Sequence, residues 1–168
     1  YIMLESMETS YQDTSLGGAL EYNLIPELTQ LAQNNINFSN NDTVGGFREV
    51  TGASWTVGAM VAHTAGVPLK VPDGISDWQN GYGKDGEFLP GLCSLTQILK
   101  QQGYYQTLMV GSDANFGGRK TYFNTHGIDK VYDLYTAWRD GTVPNGYWNN
   151  WWGFEDHILF DYAKKELT

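Results

Sequence analysis

The residues with the most chemical promise lie between Gly52 and Pro68. A polar loop, Gly52-Ala53-Ser54, runs into the small-residue segment Trp55-Thr56-Val57-Gly58-Ala59-Met60-Val61-Ala62-His63-Thr64-Ala65. Gly66 follows, with Pro68 just beyond, which is how helices commonly end. A helix that starts near Trp55 puts Thr56 in its first turn. Backbone N–H groups there lack intrahelical partners and the dipole is positive, so the Thr56 hydroxyl would sit against any anion bound at that end. The plainer reading of Thr56 or Ser54 is an N-cap, and this stretch alone favours the cap. Glu5 is the second candidate. Tyr1-Ile2-Met3-Leu4 reads as a buried strand with Glu5 at its carboxyl end. Ligands gather at the carboxyl ends of strands in open α/β sheets, so this carboxylate is a candidate ligand set against an ordinary surface Glu. A threonine hydroxyl is a poor nucleophile at neutral pH and needs a base or a metal. Glu5 is the strand-end carboxylate placed to share a divalent metal with Thr56. Hard oxygen ligands suit Mg²⁺ or Mn²⁺, and added His would also admit Zn²⁺.

The elements that must position these groups can be read along the chain. Leu24, Ile25, Leu28, Leu31 and Ala32 make a helix face from about Ile25 to Gln33, with Pro26 in its first turn. Residues 36–38 read as a short strand, 40–52 as a polar loop, and 70–91, rich in Gly, Asp and Pro, as a surface excursion. Ser94 to Gln102 is a short amphipathic helix with Leu95, Ile98 and Leu99 inward and Gly103 as its stop. A strand over 105–110 and a tight loop over 111–118 precede a helix to about His126, with Gly127 just past its end. A short edge strand over 130–134, a loop over 139–150 and a closing helix over 154–167 complete the order. Strands alternating with helices argue for an α/β fold whose mostly parallel sheet is covered on both faces.

Composition bounds the partners. The sequence has 168 residues, enough for one domain with a real core. Its 19 acidic and 10 basic residues give a net charge of −9, which argues against nucleic acid as a partner because phosphate binding needs a basic face. The single cysteine, Cys93, allows no internal disulfide. No run reaches the roughly 20 apolar residues of a membrane span, and no signal peptide is visible. The chain opens inside an apolar run and reads as a piece of a longer protein, so missing targeting signals say nothing of the parent. Six Trp, 11 Tyr, 7 Phe and 20 Gly fit a loop-rich α/β domain better than a helical bundle.

At Thr56 the sequence resembles the alkaline phosphatase/sulfatase superfamily, whose nucleophile opens a helix that ends ten residues later in a Thr-Gly-x-x-Pro-like motif. Thr64-Ala65-Gly66-Val67-Pro68 supplies that ending. Met3-Leu4-Glu5-Ser6-Met7-Glu8-Thr9 is similar to the "LES" strand end of the phosphoglycerol transferase and lipoteichoic acid synthase branch. Pro26 to Ala32 and Asn37-Phe38-Ser39-Asn40 resemble a further segment of the superfamily. The closest likeness is to the periplasmic-glucan phosphoglycerol transferases. It is carried by Trp55 to Ala62, Gly66-Val67-Pro68-Leu69, Leu99 to Tyr104, Phe116-Gly117-Gly118-Arg119, His126-Gly127-Ile128-Asp129 and Trp152 to Asp156. These motifs span nearly all of the chain in the family's order.

The resemblance implies a three-layer αβα fold of the alkaline phosphatase type, present as a partial domain. Residues 1–168 would be the N-terminal portion of a catalytic domain, with the downstream Asp-His metal-ligand segment absent. It implies Glu5 as a metal ligand and Thr56 as both ligand and nucleophile, with Mn²⁺ or Mg²⁺ ahead of Zn²⁺ as the cofactor. Thr56 would take a phosphoglycerol group from a phosphatidylglycerol-like lipid and pass it to a glycan or polyol hydroxyl. Arg119 falls where lipoteichoic acid synthases have the Arg of a Phe-Trp-Asn-Arg motif that contacts the headgroup. Phe116 and Arg119 carry over, whereas Gly117 and Gly118 replace the Trp and Asn. Arg119 is thus a candidate phosphate partner, with a surface salt bridge as the equal alternative. The parent would be a membrane-anchored bacterial protein with this domain on the periplasmic or cell-surface side.

Two rivals stand beside that reading. A sulfatase would need a Cys or Ser oxidised to formylglycine. Thr cannot give that aldehyde, and Gly58 and Met60 replace the Pro and Arg that follow it in sulfatases. A phosphodiesterase-type hydrolase is the nearer alternative. A non-catalytic carbohydrate-binding module would rest on Tyr147-Trp148-Asn149-Asn150-Trp151-Trp152-Gly153-Phe154, whose rings could stack on sugars or pack the last helix; packing is the favoured reading. The histidines are weaker candidates. His63 lies about 10 Å along the helix from the first turn, too far to act on Thr56. His126 would serve a helix C-terminus, and His157 the surface.

Overall fold

Pro26–Asn34 forms the first helix, α1. Pro26 at its first position has no N–H to leave unpaired, and Glu27 meets the positive end of the dipole. The structure, a computed structural model, describes residues 1–39, 44–46, 48–70, 83, 86–148 and 152–168. Most of the expected 70–91 excursion and part of the 147–154 aromatic stretch lie outside the described residues.

The next helix, α2, covers Thr56–Ala65 and stops at Gly66, whose φ of 72° is the left-handed conformation glycine adopts without strain. Helix α3 covers Leu95–Gln101. Its start is a full capping box, in which the Ser94 hydroxyl accepts from Gln97 N and the Gln97 side chain accepts from Ser94 N. Strand β1, Thr107–Met109, leads through a loop and a 3₁₀ turn at Phe116–Gly118 into α4, Arg119–Thr125. Strand β2, Lys130–Tyr132, returns parallel to β1, with Leu108 opposite Val131. Helix α5, Leu134–Arg139, and helix α6, Asp156–Glu166, follow.

Period-two alternation along β1 divides the interior. Leu108 packs against a cluster built on Val57, Met60, Val61, Leu69, Phe88, Tyr122 and Phe123, most of it from α2 and α4. Met109 packs against the opposite cluster, where Tyr132, Leu134, Ala137, Val143 and Phe154 meet Ile158, Leu159 and Tyr162 of α6. The short parallel pair is therefore covered on both faces, the arrangement expected of an α/β sheet. A buried hydrogen bond clamps the first layer. Thr64 Oγ1 donates to Met60 O at 2.7 Å, so the Tyr122 hydroxyl, also 2.7 Å away, donates to Thr64.

Several expectations fail in instructive ways. Residues 1–4 and 36–38 form no strand. Tyr1, Ile2, Leu4, Ile36 and Phe38 are all exposed, and no described strand lies beside either segment to pair with it. An apolar run needs a ladder partner before it becomes a strand. The apolar faces of α1 and α3 are likewise open. Leu24, Leu31, Leu95 and Ile98 are exposed, while Thr29 and Thr96 are the buried residues of those helices. Helix α5 is not among the expected elements: its first residue falls at the end of the expected 130–134 strand, its last at the start of the expected 139–150 loop, and 135–138 between them carry no expected element. Asp133 starts it by accepting from Thr136 N at 3.0 Å.

Candidate active site

The first turn of α2 is fixed from two sides. A Cβ on Gly58 would lie 2.8 Å from Gly52 O and 3.0 Å from the Trp55 ring, so the helix start is wedged against the loop that leads into it. The N-cap is Trp55, which makes no side-chain capping bond. Thr56 is the first helical residue, and its hydroxyl donates to Glu5 Oε1 at 2.6 Å. That corrects the capping reading of Ser54 and Thr56. The Thr56 hydrogen is directed to a carboxylate 51 positions away in the chain, not to its own helix end. Glu5 stands in an exposed segment, not at a strand end, and the chain turns immediately after it through Ser6, whose φ is 58°. A non-glycine residue in the left-handed region is uncommon and clusters at sites where the backbone must be aimed.

The loop between β1 and α4 closes the other side. Gly117, with φ 64°, packs so tightly on α2 that a Cβ there would be 2.5 Å from Val57 Cγ2. This contact seats the Phe116–Gly118 turn on the helix start that carries Thr56, and Arg119 follows directly. Arg119 is 4% exposed. Its Nε donates to Phe116 O at 3.1 Å, and its Nη2 donates to Ser112 Oγ at 3.0 Å and to the Asp113 carbonyl. Burial pulls the guanidinium down from its ordinary value, and the carboxylates of Asp113, Glu5 and Asp133 oppose that pull. The surface salt-bridge reading of Arg119 is therefore overturned. Glu5 lies close enough to Arg119 to act on its charge and accepts the Thr56 hydrogen. Glu5 and Thr56 are thus in direct contact, and Arg119 follows the turn that packs on the start of α2.

Sequence reasoning missed Ser112, Asp113 and Asp133. Ser112 is buried on Arg119 and bridges antiparallel to Gly153; Phe154 N donates to Gly111 O at 3.0 Å. Asp133 caps α5 and faces Arg119. The Asp-x-x-Thr spacing of Asp133 and Thr136 was the available signal. The Phe116 ring meets Trp152 nearly edge-on at 4.8 Å and lies 5.8 Å below the Arg119 guanidinium carbon. The histidines stand apart from this chemistry. His63 and His157 are exposed. His126 is fully buried; its Nε2 donates to Phe88 O at 3.0 Å, Nδ1 has no partner among the described residues, and burial lowers its pKa.

Thr56 Oγ1 and Glu5 Oε1 are two hard oxygens in contact. Their chemistry suits an oxygen-seeking divalent ion, as two members of a set of about six. Among the described residues no group of three or more His, Cys, Asp or Glu side chains converges.

No family model matches the chain. Over 163 residues, 97% of its length, it is 34% identical to phosphoglycerol transferase I of Xanthomonas campestris pv. campestris strain B100. The chain is similar in sequence to phosphoglycerol transferase I along nearly all of its own length. The Escherichia coli O6:K15:H31 phosphoglycerol transferase I is 29% identical over 168 residues, 99% of the chain. The chain spans about a fifth of the length of these curated relatives, 21% of the first and 20% of the second. Among solved structures, an alkaline phosphatase superfamily protein from Vibrio parahaemolyticus is similar over 64% of this chain and 23% of its own, with 25% identity and a TM-score of 0.44. The phosphoglycerol transferase resemblance read from the motifs is borne out by these relatives. The site residues stand on the geometry alone.

Proposed function

We propose that this chain carries the nucleophile of a metal-dependent phosphoglycerol transferase. The observation that carries the reading is the 2.6 Å hydrogen bond from Thr56 Oγ1 to Glu5 at the N-terminus of α2. Thr56 Oγ1 attacks the phosphorus of a phosphatidylglycerol-like lipid. A Thr56 O–P bond forms, the bond to the diacylglycerol oxygen breaks, and the threonine proton leaves along its bond to Glu5 and reaches the diacylglycerol oxygen. A glycan or polyol hydroxyl then attacks the same phosphorus, and the phosphoglycerol group passes to it as Thr56 regains its proton. The unpaired N–H groups of the first turn of α2 stabilise the phosphoryl oxygens. Arg119 adds positive charge beside Glu5 and holds the 112–118 loop against the helix start, with a phosphate oxygen as its candidate further partner. Glu5 and Thr56 would hold Mn²⁺ or Mg²⁺, with Zn²⁺ as the alternative; the bound ion would lower the hydroxyl pKa and offset phosphoryl charge.

The reading places the domain on the outer side of a bacterial cell membrane, where its lipid donor and glycan acceptor meet. No helix among the described residues is long and apolar enough to cross a membrane. A covalent intermediate is directly testable. Native protein is incubated with Mn²⁺ and phosphatidylglycerol, quenched in acid and digested. The Thr56 peptide is expected to gain the mass of one phosphoglycerol group. An unmodified Thr56 peptide under turnover, with the group on another residue, would overturn the assignment. Transfer to water alone would favour the phosphodiesterase alternative.

A further inference from the structure

A group of aromatic rings that the transfer chemistry does not use lies beside the same loop. Tyr135 and Trp138 are three residues apart on α5 and so share a face. Their rings meet edge-on at 5.2 Å and 86°. Trp138 Nε1 donates to Tyr147 O at 2.9 Å, which fixes its plane. The Trp148 ring lies 6.3 Å from Trp138, tilted by 52°. These rings are braced but not covered, for Tyr135 is 43% exposed and Trp148 45%. Rigid aromatic faces in water lose little entropy on binding and suit the C–H faces of sugar rings.

The charges nearby select among ligands that stack. Asp113 pushes the Tyr135 phenol up, so a carboxylate flanks one end of the shelf, and Asp140 follows α5 at the other. Arg139, the cation on the same helix, is turned to Thr136 Oγ1 at 3.2 Å. A negative fringe disfavours a phosphate-bearing ligand on the rings. It accepts hydrogen bonds from a neutral polyhydroxyl one. Asp113 links the rings to the loop that holds Arg119. Asp113 supplies the carbonyl that Arg119 holds, Arg119 feels Glu5, and Glu5 accepts the Thr56 hydrogen.

We propose that Tyr135, Trp138 and Trp148 form a saccharide-binding shelf on which a neutral oligosaccharide stacks beside Asp113. Its role as the acceptor subsite rests on the transferase reading of Thr56; the binding itself does not. The test is a calorimetric titration of laminarihexaose into the native protein and its Trp148→Ala, Trp148→Phe and Tyr135→Ala variants, each with a cooperative thermal transition. Trp148→Ala is expected to weaken binding about tenfold, with Trp148→Phe within about threefold of wild type, the range of one aromatic stacking contact. Equal affinity in Trp148→Ala, or no binding at about 10 mM hexaose, would overturn the shelf. So would Trp148-dependent binding to phosphatidylglycerol vesicles in place of hexaose, since that assigns the rings to a lipid surface. Diacylglycerol release by Thr56→Ala is scored separately. Hexaose binding alongside release that persists in Thr56→Ala keeps the shelf and removes the transferase reading. Thr56-dependent release without hexaose binding does the reverse.

Discussion

A hydroxyl at the first position of α2 has two possible uses, and its partner decides between them. Thr56 points its hydrogen at Glu5 and so is held with its lone pairs free for a phosphorus or a cation. Glu5→Gln keeps the shape and removes the charge, and is expected to raise the Mn²⁺ concentration for half-maximal activity about tenfold or more. Buried charge elsewhere has a structural cost. Removing Arg119 strips its hydrogen bonds to Phe116 O, Ser112 Oγ and the Asp113 carbonyl from the 112–118 loop. Arg119→Met is expected to lose about 3 kcal/mol in urea unfolding. His126 gives a pH signature. Its folded pKa lies below the unfolded 6.5, so the unfolded chain binds the proton more tightly. Its contribution is full above about pH 6.5 and is lost as pH falls through that value. Urea midpoints at about pH 7.5 and about pH 5.5 should therefore converge in His126→Gln relative to wild type.

At the scale of elements, glycines and caps decide whether the site assembles. Gly117 must be small and left-handed at once, because a Cβ there would strike Val57. Gly117→Ala is expected to cost about 2 kcal/mol or more and to reduce activity beyond its effect on stability, since it lifts the loop from α2. Ser94→Ala removes a cap and should cost about 1 kcal/mol with little effect on activity. Both α2 and α3 were legible, because Gly66 and the Ser94–Gln97 pair are local signals that need no tertiary context. The α5 helix was not. Leu134 to Arg139 holds two aromatic residues and one β-branched residue, Thr136, which suit a strand as well as a helix, and the Asp133 cap is the local helix signal.

Across the whole molecule, the sequence conveyed helices α1 to α4 and α6, strands β1 and β2, and the pairing of a hydroxyl with a carboxylate. It did not convey burial. Tyr1, Ile2, Leu4, Ile36 and Phe38 read as core and stand exposed, because hydrophobicity reports a preference and a covering surface must come from elsewhere. Nor could spacing show that Arg119 faces inward. That depends on the left-handed turn at Gly117 and Gly118 and on the bridge between Ser112 and Gly153. The Thr56–Glu5 hydrogen bond joins residues 5 and 56, and the contact of Gly117 with Val57 seats the turn that precedes Arg119 on the same helix start. The central claim is that Thr56 performs the transfer. The direct measurement is diacylglycerol release from a fluorescent phosphatidylglycerol by the native protein with Mn²⁺, compared with Thr56→Ala. The account predicts a loss of at least about a thousandfold in the variant, as expected when a covalent nucleophile is removed. Release that persists in Thr56→Ala would contradict it.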